Sequence, residues 1–250
     1  MQIIPAVDLK SDKVVRAVAG RRETYRPIES CLAKSAQPNL IGQALVDKLG
    51  LRQAYVADLD AIQGAEPSWD LYVSLIRNGL SLWIDAGITE FRRAEQLVDF
   101  ANDHPEVNGI VGGLESLSGI ELLQQCITLA GPERFVFSLD LRENQPLTNA
   151  PDWQDMIAPE IAATAVGVGA QRIIAVDLAS VGMHGGCGTA RLCRLMCQRF
   201  PEVQFCAGGG IRGMDDLERL EHAGCYAALV SSALHDGWLN AEHIEHFNDS

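Results

Sequence analysis

The chain has 250 residues, 47% of them apolar and 6% aromatic, with 23 glycines and a formal net charge of −13. That length buries a sizeable core, and that charge repels nucleic acid and anionic membrane, leaving room only for a local phosphate-binding patch. No apolar run approaches the ~20 residues that cross a bilayer, and the first residues enter strand-like QIIPAVDL without a secretory pattern, so a cytoplasmic location is expected.

In chain order, eight apolar strand-like runs are each followed by a stretch of helical periodicity. The runs cover 2–9, 53–60, 80–87, 109–116, 134–141, 172–179, 203–210 and 227–234. Helical stretches are expected at 39–50, 69–79, 94–104, 158–169 and 190–200, with a polar-faced helix after 210. Eight strand–helix units without a linker predict one domain over 1–250, an α/β fold of the closed (β/α)₈ TIM-barrel type. An open doubly wound sheet would carry an early GxGxxG fingerprint, and the first strand has none. The first loop, 10–38, is long enough to be functional in its own right.

The seven cysteines, odd in number and scattered, predict reduced thiols rather than a disulfide framework. Cys193 and Cys197 stand at helical i, i+4 spacing with His184 nearby. No CxxC or HxxxH pair accompanies them, so helix packing is expected and no metal.

The two halves of the chain match unit by unit. PAVDLK (5–10) parallels FSLDLR (137–142), and VADLDA (56–61) parallels AVDLAS (175–180). DAGITEFRRAEQL (85–97) parallels GGGIRGMDDLERL (208–220), and IVGGLES (110–116) parallels LVSSALH (229–235). The barrel is therefore expected to be a doubled half-barrel.

IPAVDLK, VADLDA, LDLR, AGGGIRG and SSALHDG, in this order and spacing, resemble the HisA/HisF family of histidine biosynthesis, HisA more closely. The resemblance covers essentially the whole chain. It implies an isomerase acting on a phosphoribosyl-linked compound by an Amadori-type aldose-to-ketose rearrangement, an intramolecular oxidoreductase with neither metal nor organic cofactor. The stretch AVAGRRETYRPIES (17–30) departs from ordinary HisA. It resembles an uncharacterised HisA-related subgroup associated with methanogens and with methanopterin-linked one-carbon metabolism.

Glycines Gly208, Gly209 and Gly210, with Ser231 and Ser232, end strands seven and eight, where such barrels seat phosphate. The plainer reading of the glycines is a tight turn. The symmetry-related place reads Asp85-Ala86-Gly87 and Gly112-Gly113-Leu114-Glu115. Carboxylates at Asp85 and Glu115 would repel phosphate, so a second seat is expected to be lost, unless both acids turn away as caps.

Asp8 and Asp140 end strands one and five and are symmetry mates. Two carboxylates of different pKa can share the proton transfers of a sugar isomerisation, and the resemblance makes Asp8 the base. It also implies an Asp in the loop after strand six, but Val181 stands in that place. Asp140 or His184 would have to take over as acid. Arg16, Arg21, Arg22 and Arg26, on or beside the first loop, are either a solvated face or a closure over an anionic ligand. Asp58 and Asp177 are either substrate contacts or hydrogen-bond anchors.

The expected function is an isomerase of a phosphorylated sugar or aminosugar with a substrate altered from that of true HisA. True HisA activity, a phosphometabolite-binding barrel without turnover and a Mg²⁺-dependent lyase are the alternatives. The only expected partner is a phosphorylated small molecule, and the sequence does not fix an oligomeric state.

Overall fold

The computed structural model describes residues 1–183 and 187–248. Eight strands form the barrel: β1 (Gln2–Lys10), β2 (Gln53–Asp58), β3 (Ser81–Asp85), β4 (Val107–Gly113), β5 (Phe135–Arg142), β6 (Arg172–Asp177), β7 (Gln204–Gly208) and β8 (Ala227–Val230). Each pairs in parallel with its sequence neighbour, and Gln2–Pro5 of β1 close the ring against Ala227–Val230 of β8. This is a (β/α)₈ TIM barrel.

Alternation along the strands decides which residues face inward. In β5, Phe135, Phe137, Leu139 and Leu141 join the core between strands and helices, while Val136 belongs to the barrel interior. Ser138 and Asp140 share the face of Val136. Ile4, Trp83, Val111, Ile174, Cys206 and Leu229 complete the interior cluster. Trp83 fits because its neighbour is Gly109: a Cβ there would stand 2.2 Å from the indole ring.

Eight helices of eight residues or more surround the strands: α1 (Pro38–Leu49), α2 (Trp69–Arg77), α3 (Phe91–Asp103), α4 (Ile120–Ala130), α5 (Ala158–Gly167), α6 (Ala190–Arg199), α7 (Met214–His222) and α8 (Ala241–Asn248). Pro38 opens α1 with its preset φ, and Gly50, left-handed at φ 68°, closes it. Cys193 is buried in the outer core on α6. Among the described residues no helix is long and apolar enough to cross a membrane.

The half-barrel repeat reaches further than the strand motifs. After β1 the chain turns back through Ser11 and Asp12, and after β5 through Glu143 and Asn144, all four at positive φ. Each turn starts a short antiparallel strand, Lys13–Arg16 or Gln145–Pro146. The first hairpin continues into a 3₁₀ turn at Arg22–Thr24 and a strand at Arg26–Pro27, which gives the long first loop its form.

Candidate active site

At the C-terminal mouth of the barrel a cavity of about 310 Å³ opens. Three carboxylates line it from alternate strands: Asp8 on β1, Asp85 on β3 and Asp140 on β5. Alternate strands of such a barrel contribute one layer of side chains, and Gly208 ends β7 where a fourth would stand. Asp85 and Asp140 are each only 6% exposed.

Hydrogen bonds fix all but Asp8. Asp140 Oδ1 accepts from Ser138 Oγ at 2.7 Å and Oδ2 from the Glu115 amide at 3.2 Å. Asp85 Oδ1 accepts from the Gly87 amide at 3.1 Å and Oδ2 from the Tyr55 hydroxyl at 3.2 Å. Gly113 makes room for the row, since a Cβ there would stand 2.9 Å from Asp140 Oδ2 and 3.6 Å from Asp85 Oδ2. Asp85 thus does cap a turn, but with one oxygen only.

Burial raises all three carboxyls, because removing water penalises the charged form. Asp8 rises to about 7, with Arg22 opposing and Asp85 adding. Asp85 rises to about 6, the Gly87 amide opposing and Glu115 adding. Asp140 is held above the usual carboxylate range by burial and then by Glu115 and Asp85. The same burial, reinforced by the Asp8 charge, pushes the Tyr25 hydroxyl up to about 12.

Gly208, Gly209, Gly210, Ser231 and Ser232, the residues of the expected phosphate seat, form another part of the wall. Gly209 is left-handed at φ 93°, and a Cβ there would meet the Asp177 carbonyl at 2.7 Å. The turn reading and the ligand reading therefore describe the same residue: the glycine that permits the turn also lines the cavity. Arg212 lines it too, tied back by Nε to Asp216 at 3.3 Å.

The first loop roofs this mouth. Arg22 reaches across to form an ion pair with Glu115, and both line the cavity. Arg16 bonds both oxygens of Asp236, at 2.5 and 3.0 Å, behind the short helix Ser232–His235. The Ala19 amide donates to the Val181 carbonyl at 2.9 Å. Val181 packs with Val15, Ala17, Tyr25, Ala57 and Leu59. The residue that stands where the family resemblance places a loop Asp is thus an apolar support for the roof.

Three expected substrate contacts lie elsewhere. Asp58 is not among the cavity-lining residues; its carboxylate accepts from the Ala61 and Ser68 amides and the Tyr72 hydroxyl. Asp177 accepts from the amides of Glu143, Asn144 and Ala179, anchoring the hairpin after β5. Both carboxylates are thus engaged within the protein, Asp58 by two amides and a hydroxyl and Asp177 by three amides. Arg21 sits at the entry to the 3₁₀ turn and does not line the cavity. His184 lies outside the described residues. Of the four first-loop arginines, Arg16 and Arg22 line the cavity and Arg26, like Arg21, does not; Tyr25 and Tyr55 line it without having been singled out as ligands. Tyr55 had a signal: its inward position two residues before Ala57 follows from strand alternation. Among the described residues no group of three or more His, Cys, Asp or Glu is placed to hold a metal ion.

A family model described as "Histidine biosynthesis protein" matches residues 2–240. The chain belongs to this family. An uncharacterised protein of Methanocaldococcus jannaschii is 29% identical over 244 residues, covering 98% of this chain and 97% of that protein. Two members named 1-(5-phosphoribosyl)-5-((5-phosphoribosylamino)methylideneamino)imidazole-4-carboxamide isomerase are similar over their whole length. That of Francisella philomiragia is 26% identical over 246 residues, covering 94% of this chain and 95% of its own. That of Legionella pneumophila is 28% identical over 255 residues, covering 98% and 99%. Family membership thus extends over the hairpin roof as well as the barrel.

Proposed function

We propose that this protein is an isomerase that converts a phosphorylated glycosylamine to the corresponding 1-amino-1-deoxyketose, on a substrate other than that of its named isomerase relatives. The observation that carries this reading is the common cavity: two symmetry-mate carboxylates, Asp8 and Asp140, open onto the space also lined by Gly209 and Ser231. The glycines and serines hold the phosphate and so fix the sugar against the acids.

Asp140, kept protonated by its surroundings, gives its proton to the ring oxygen as the nitrogen lone pair forms C1=N and the C1–O bond breaks. Asp8, ionised, takes the proton from C2, and the electron pair left behind forms a C1=C2 enaminol. Loss of the C2 hydroxyl proton and delivery of a proton to C1 complete the ketose. C1 is reduced as C2 is oxidised, so the electrons balance within the substrate. A pair of carboxylates whose surroundings set different proton affinities suits this division of labour.

The altered substrate follows from Val181. A valine moves no proton, and loss of a positioned acid or base costs roughly 10²–10⁴-fold in rate. Its side chain is committed to Tyr25 and Ala17 instead. The test is purified protein in D₂O with the doubly phosphoribosylated compound in the relatives' name and, separately, with singly phosphorylated glycosylamines. Deuterium at C1 of a ketose product from the latter alone is expected. Efficient conversion of the former overturns the altered-substrate reading, and no conversion of either favours a binding barrel.

A further inference from the structure

The Arg22–Glu115 ion pair takes no part in the chemistry above, yet it occupies the strand-three and strand-four end of the cavity. Arg22 enters from the roof with its side chain 26% exposed, and Glu115 meets it from the loop after β4 at 21%. Asp85 and Asp8 also feel the Arg22 charge. One guanidinium therefore faces three carboxyl groups, and its strongest partner is already in place.

A phosphate arriving here would have to displace Glu115 from Arg22 and then stand beside Asp85. Beside the Asp85 carboxylate it would meet like-charge repulsion that little water screens, and the one guanidinium at hand is already neutralised by Glu115. At the symmetry-related end the matching positions carry no carboxylate, and the acid that does line the cavity there, Asp236, is paired with Arg16. Gly208 replaces Asp85 there, Ser231 and Ser232 replace Gly112 and Gly113, and Leu234 replaces Glu115.

The geometry points to Glu115 as a specificity-determining residue. By holding Arg22 as an internal counter-ion with Asp85 alongside, it restricts this end to an uncharged or cationic group and the substrate to a single phosphate. This rests on the reading of the cavity as a sugar-phosphate site and narrows it to monophosphates.

Crystals equilibrated with tungstate, whose anomalous scattering marks each bound anion, provide the test. The wild-type protein is expected to hold one anion, by Gly209 and Ser231. In D85N/E115Q, which removes two charges and keeps both shapes, a second anion is expected against Arg22. Adding R22Q should abolish it. E115Q alone, a change at a partly exposed side chain, carries the same test at lower occupancy if the double variant folds poorly. A second anion against Arg22 in the wild type overturns the assignment, as does its absence from both charge-removed variants. An anion against Arg22 in a charge-removed variant, with none by Gly209 in any protein, supports the role of Glu115 and removes the phosphate seat from the proposed function.

Discussion

The two halves of the barrel share their scaffolding and differ at the rim. Asp58 and Asp177 occupy matching positions, and each is consumed by backbone amides. The matching hairpin turns are held by carboxylates as well, Ser11 by Asp60 at 2.6 Å and Asn144 by Asp177 at 2.8 Å. At the cavity the match breaks: Asp85 stands opposite Gly208 in the repeat, and Glu115 opposite Leu234. The acids that satisfy backbone amides are repeated in both halves, and so are the cavity acids Asp8 and Asp140; the halves differ at Asp85 and Glu115, on one side of that shared pair.

Replacing the pair in which the halves still agree at the cavity should have the largest effect. D8N and D140N are each expected to lower turnover of a phosphorylated glycosylamine by roughly 10²–10⁴-fold, read as deuterium incorporation at C1. Wild-type turnover should rise as pH passes through about 7, where Asp8 ionises, and fall at higher pH as Asp140 loses its proton. A D140N variant as active as wild type would leave the symmetry of the two acids without a chemical meaning.

Asp85, where the halves disagree, carries the next effect. Its carboxyl sits at about 6 in the folded protein, above an unfolded value near 4. The folded state holds this proton more tightly, so its contribution to stability falls as pH rises from about 4 to about 6 and stays low above that. D85N keeps one acceptor, for Tyr55, at the expense of the bond from the Gly87 amide, and removes that charge-dependent cost. Its melting temperature should exceed wild type by roughly 5 °C at pH 8 and differ little at pH 4. Equal gains at both pH values would mean that packing, not charge, drives the change.

At the opposite end, S231A and S232A should each weaken phosphate binding by roughly fivefold, the worth of one neutral hydrogen bond. NMR titration with inorganic phosphate measures it, with E115Q as a control that leaves this seat unaffected. The smallest effect belongs to the roof: R16Q breaks a half-exposed ion pair with Asp236 and should cost under about 1 kcal/mol in denaturant unfolding.

Much of this molecule is legible in its sequence because its signals are local. The run LSLWIDAG places β3 at Ser81–Asp85, and FSLDLR puts Asp140 on the same face as Val136 through alternation alone. The glycine run after β7 marks a turn that only left-handed residues can make. The Arg22–Glu115 pair was not legible as such, since its members are 93 positions apart and only the closed barrel brings them together. Nor did the sequence separate Asp58 and Asp177 from the cavity acids Asp8, Asp85 and Asp140: all five strand-end aspartates look alike until the amides around them are located. Val181 was visible as a departure, but its work as packing for the roof emerges only from neighbours that the first loop and the end of β2 supply.

The acid row has one consequence for how a ligand arrives. A phosphorylated molecule must cross the field of a protein carrying a net charge of −13 and pass a mouth lined by Asp8, Asp85 and Glu115 before it reaches the glycines. Encounter is thus slowed by long-range repulsion, and dissolved salt, which shortens the reach of that field to about 10 Å at 0.1 M, speeds capture. Under the proposed function, capture of a phosphorylated substrate is therefore expected to quicken as ionic strength rises.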